Sequence, residues 1–168
     1  MKAIKTIQWV INLLFYISIL SVGIFVLSYP VWLFMGDKIP FTFKEIQFIY
    51  NSNWSTKVLF LVVIISQILF TIGFYHLKTV TRLFISNKTF SLASITHLKK
   101  AGNLFTFIGL LILLLRAFNW IFDTSIVSIW NGIDMLYLFI LFIGLFFILI
   151  SKVLIEARQL KQENDLTI

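Results

Sequence analysis

From Thr6 to Gly36 the chain carries no charged side chain. Wound as an α-helix at about 1.5 Å per residue, such a run is about 45 Å long. The hydrocarbon core of a bilayer is roughly 30 Å thick, so the run has to tilt, bend or emerge. Pro30 marks a place near its far end for a kink or a helix end. The basic start, Lys2 and Lys5, would suit a signal peptide. The length of the run and the lack of a small-residue cleavage site argue instead for a retained first span.

Three further apolar runs follow: Val58 to Tyr75, Leu104 to Phe122 interrupted only by Arg116, and Met135 to Ser151 bounded by Asp134 and Lys152. Together they predict an all-α polytopic membrane protein, a bundle of four transmembrane helices over about residues 7–35, 57–78, 103–122 and 133–152. Between the second and third spans lies a link over 79–102 with a short amphipathic helix, and a helical tail runs over 153–168. Composition closes off the alternatives. The chain is 60% hydrophobic and 12% charged, where soluble domains carry about 25% charge. A soluble domain near this size buries only about 70% of its extended surface and could not hide so much apolar area. The absence of cysteine excludes thiol chemistry and cysteine-held metals.

The distribution of charge sets an expected orientation. Lys2 and Lys5, then Lys78, Arg82, Lys88, Lys99 and Lys100, then Lys152, Arg158 and Lys161 all fall at one end of the four spans. These are ten of the 14 basic residues, so the positive-inside rule places both termini in the cytoplasm. The net charge of +7 is then a topology signal, and no direct nucleic-acid binding is expected. Trp120 and Trp130 sit near the opposite surface and read as headgroup anchors.

The inner link is the most structured polar segment. Ser86-Asn87-Lys88-Thr89 reads as a turn, since Asn tolerates positive φ, and Ser91 is placed as the N-cap of the next helix. Leu92, Ile95 and Leu98 follow at a spacing of three, with His97, Lys99 and Lys100 on other faces. Ala101-Gly102 is small enough for close helix contact. After the fourth span Val153, Ala157 and Leu160 share a face, and Glu163-Asn164-Asp165 is expected to end the helix.

Few side chains carry chemistry. Arg116 is the one charge inside a span. It can snorkel to water, pair with Asp134 or Asp123, or hold an anionic ligand. The pair Arg116 and Asp134 is retained as a candidate intramembrane polar site. Gln67, with Ser66 and Thr71, lies mid-span, Asn12 early in the first span and Asn119 late in the third. Such groups bond between helices or line a path. His76 and His97 lack the acids or cysteines that complete a metal site. No metalloprotease helix, phosphate loop or nucleophile elbow is present. No enzymatic activity and no cofactor are expected.

Two segments together carry a family resemblance. The link reads Leu83-Phe84-Ile85-Ser86-Asn87-Lys88-Thr89-Phe90-Ser91, followed by Leu98 and Ala101-Gly102; the chain closes on Glu163-Asn164-Asp165-Leu166-Thr167-Ile168. With four spans around them they resemble the bacterial membrane proteins of the domain-of-unknown-function 2975 family. Asn87 stands where many members have glycine and Thr89 where many have proline. The resemblance implies no defined biochemical activity. Genes of this family often lie beside one for a small helix-turn-helix regulator, which implies a membrane partner of such a regulator. Phe90, Ser91 and Leu98 match the family's turn, and Glu163, Asn164, Asp165, Leu166 and Thr167 its tail. The resulting expectation is a non-enzymatic regulatory or interaction protein, held in the lipid bilayer, whose cytoplasmic face engages a soluble partner through these residues. A small transporter or an immunity-type protein that protects the membrane is the alternative.

Overall fold

A backbone in hydrocarbon has no water to bond to, so every amide must be satisfied within the chain. The computed structural model meets that demand with helices alone: among the described residues, 2–35, 54–122 and 132–166, there is no strand. The helices are α1 (Lys2–Met35), α2 (Trp54–Ile85), α3 (Leu92–Phe122) and α4 (Gly132–Leu166). All four are long and apolar enough to cross a membrane. α1 continues through Pro30 to Met35, so this proline does not end it. α4 continues past Glu163-Asn164-Asp165 to Leu166, one residue beyond the expected stop. The link between α2 and α3 contracts to the six residues 86–91, and its amphipathic helix is the first part of α3 itself.

The helices pack in chain order, α1 on α2, α2 on α3 and α3 on α4, with no other comparable helix pair among the described residues. They therefore form a sequential series around no shared central core. Lipid tails are as apolar as the side chains they would replace, so nothing in a bilayer drives such a series to close.

The main cluster of buried apolar side chains lies between α2 and α3. Leu77 and Val80 of α2 meet Leu98, Ala101, Phe105 and Ile108 of α3 in one buried cluster. On α3 the steps of three and four put these residues on one face. The Phe105 ring lies 5.4 Å from that of Phe70 and 5.7 Å from that of Phe74. It seats directly over Gly73, where a Cβ would come within 2.6 Å of the ring edge. A second face of α3 meets α4. There Gly102 fits beneath Ile148, Gly109 beneath Leu141, and Gly144 of α4 beneath Thr106. These contacts are backbone to backbone, which is how helices gain van der Waals attraction where the hydrophobic effect is absent.

α1 buries the smallest share of its span among the four helices. Its aromatic rings meet those of α2 along an antiparallel seam, Phe25 and Tyr29 on Phe60 and Phe15 on Tyr75. Midway, Gln67 donates from Nε2 to Ser21 Oγ at 3.2 Å. At the foot of the seam Ile4 and Lys5 line a shallow cleft with Phe84, Ile85 and Asn87. The start of α1 and the α2–α3 turn thus share one end of the molecule, hereafter the turn end.

Candidate functional site

The turn end is built on a reciprocal pair of helix caps. At the close of α2, Lys88 N–H donates to Leu83 C=O at 2.9 Å and Asn87 N–H to Phe84 C=O at 3.2 Å. This is the Schellman arrangement, which requires its C′ residue in the left-handed region. Asn87 occupies that position with φ of 58°. Asparagine reaches it more cheaply than other residues with a Cβ, which is why it can stand where glycine is common. Ser91 then caps α3. Its Oγ accepts from Ser94 N–H at 3.2 Å and its C=O accepts from Ile95 N–H at 3.2 Å. The two caps leave little backbone freedom between residues 86 and 91.

This turn presents apolar side chains outward. Phe90 is 44% exposed and Leu92 63% exposed. Arg82, Lys88, Lys99 and Lys100 around them are also exposed. Leu98 behaves differently: it is 5% exposed and belongs to the α2–α3 cluster. It supports the turn from beneath and offers no surface. Ser91 is committed to capping α3. Glu163 and Asn164 lie exposed on the last turns of α4. Of the expected interaction residues, then, Phe90, Glu163 and Asn164 present side chains outward. The side chain of Asp165 lies outside the described residues, as do those of Arg116 and Asp134, so the intramembrane pair is not described.

Of the remaining polar groups of the spans, several are absorbed by the helices, whereas Asn12 Oδ1 and Thr106 Oγ1 are buried with no hydrogen-bond partner. Gln67 bonds across to α1, as above. Ser66 Oγ donates to Val62 C=O at 2.8 Å and Thr71 Oγ1 to Gln67 C=O at 3.0 Å. A hydroxyl that returns to its own helix backbone meets its hydrogen-bond demand without a partner helix. Lys78 reaches from α2 across the rings of Phe15 and Tyr16 on α1, its Nζ 4.6 and 4.8 Å from their centroids. A cation over an aromatic face is stabilised by the ring quadrupole, so this lysine ties α1 to α2.

One contact was not anticipated. His76 of α2 and His97 of α3 meet with Nδ1 to Nδ1 at 2.9 Å and ring centroids 5.0 Å apart. The numbering does carry a signal for it. In a hairpin turning at Asn87, residues about equally far before and after the turn come level, as 76 and 97 do. Among the described residues no group of three or more histidines or carboxylates could hold a metal ion, and the neighbouring lysines oppose a cation.

The sequence of residues 34–168, four-fifths of the chain, matches the model of a family described as a protein of unknown function, DUF2975. The chain belongs to the DUF2975 family. The match takes in the turn, both caps, the α3–α4 seam and the tail, and leaves out most of α1. No curated protein and no solved structure matches the chain.

Proposed function

We propose that this DUF2975 protein is a non-enzymatic regulatory or interaction protein of the bacterial cytoplasmic membrane. In this reading the turn end faces the cytoplasm and docks a soluble partner, such as a helix-turn-helix regulator. The observation that carries the reading is the exposure of Phe90 and Leu92 on a doubly capped turn, at the end of the molecule where charge collects. Apolar side chains that flank Lys88, Lys99 and Lys100 are costly to leave in water and have the mixed chemistry of a protein contact. A rigid turn also loses little entropy on docking. The basic bias of this end supports the orientation, and α4 ends at the same end of the molecule with Glu163 exposed.

The test is site-specific photocrosslinking in native membranes. A photoreactive residue at Phe90 should capture a defined soluble protein. Phe90→Ser at that surface, probed from Leu92, and removal of residues 163–168 should each reduce capture by tenfold or more. Capture that is unchanged by both alterations overturns the reading.

A further inference from the structure

The contact between His76 and His97 lies beside the α2–α3 cluster and is the polar bridge between these two helices at that level. Its geometry limits the protons it can hold. Two Nδ1 atoms at 2.9 Å have room for one hydrogen between them. With both rings neutral, one ring donates its Nδ1–H and the other, carrying its hydrogen on Nε2, accepts. With one ring protonated, the same N–H···N bond persists with a charged donor and is strengthened. With both protonated, each Nδ1 carries a hydrogen, neither can accept, and two positive rings face each other.

We propose that His76 and His97 form a proton-linked clasp between α2 and α3, closed while the pair holds at most one extra proton and opened when both rings are charged. The proposal concerns this hairpin alone and stands whether or not a partner docks on the turn.

The surroundings oppose the second proton. Lys100 of α3 is near enough to act on His76 electrostatically, and Lys99 is exposed on the same helix. On α2, the Tyr75 ring packs 5.7 Å from that of His76. Lys78 is turned toward Phe15 and Tyr16 of α1. From α4, which packs on α3, Lys152 is exposed and Arg158 is half-buried. Among the described side chains the carboxylates are Glu156 and Glu163, both exposed on α4. The pair is therefore set among cations, so the second charge finds poor compensation.

The sign of the effect follows from linkage. The closed state binds at most one extra proton and the open state binds two, so falling pH favours opening. The two steps belong to the pair, since groups in direct contact titrate together. The cluster of Leu77, Val80, Leu98 and Ala101 lies alongside, so opening would loosen the packing at the base of the hairpin.

The chain contains two histidines and no cysteine, which makes the test clean. Full-length protein in nanodiscs, labelled with nitrogen-15 at histidine, should show two imidazoles that titrate in two steps separated by at least about one pH unit. In His97→Gln the remaining His76 should titrate in a single step, and the converse holds for His76→Gln. A distance measured between spin labels at Ile72→Cys and Thr96→Cys should lengthen between about pH 7.5 and pH 5. It should not change in either glutamine variant. Two rings titrating independently, or a label distance that ignores pH or responds equally in His97→Gln, would overturn the clasp.

Discussion

Replacing Gly144 by alanine tests whether the α3–α4 seam is set by backbone contact. A Cβ at this position would strike Thr106 N, lie 2.5 Å from Thr106 Oγ1 and lie 2.8 Å from Gly102 O. Two of these three neighbours are backbone atoms, so rotating a side chain cannot relieve the overlap. Ordinary contact requires the helices to part by the better part of an ångström. That movement lifts Gly102 off Ile148 and Gly109 off Leu141, because all three contacts lie along the same seam. Overpacking of this kind costs about 1–3 kcal/mol. It is opposed by the helix propensity of alanine, about 1 kcal/mol better than glycine. The net expectation is a loss of about 0–2 kcal/mol for Gly144→Ala, at its upper end roughly a thirtyfold fall in the ratio of folded to unfolded protein. Gly144→Val should cost more. The reference is Gly23→Ala, where nothing lies within 4 Å of the new Cβ and only the propensity gain operates. Unfolding in mixed micelles with increasing SDS measures both. Equal midpoints for Gly144→Ala and Gly23→Ala would refute the reasoning.

Other perturbations test the turn end and the seam of α1. Asn87→Gly should preserve or slightly raise stability, whereas Asn87→Val should cost about 1–2 kcal/mol by forcing a β-branched residue to positive φ; the same SDS titration decides. Ser91→Ala should cost about 1 kcal/mol and speed hydrogen exchange at the Ser94 amide, which loses its acceptor; an unchanged exchange rate would remove Ser91 as the cap. Lys78→Met keeps the stem but removes the charge above Phe15 and Tyr16; a loss of about 0.5–1 kcal/mol is expected, and none should appear when Phe15 and Tyr16 are already leucine. Gln67→Leu deletes the bond to Ser21 and should cost only about 0.6 kcal/mol, without altering the order of the helices.

Much of the turn end is legible because its determinants are local. Asn87 and Ser91 act within four residues of themselves, and backbone sterics and capping follow from residue type. The fate of Leu98 is not local. Its spacing with Leu92 and Ile95 assigns all three to one apolar face, yet Leu92 is 63% exposed while Ile95 and Leu98 are buried. Which part of that face is covered depends on where α2 lies. In the same way Gly102 stands out in sequence beside Ala101, whereas Gly144 matters only because Thr106 of another helix faces it.

The amino-acid order alone determines that this chain makes four long apolar helices and that ten basic residues gather at one end. Those are properties of runs and counts, and a bilayer reads them span by span. Only the tertiary structure decides that the helices pack in series, that glycines rather than large side chains join α3 to α4, and that His76 meets His97. Hydropathy is the same whichever apolar faces meet, because lipid accepts them all. The choice of face falls to shape and to single hydrogen bonds, which exist only once two helices have come together.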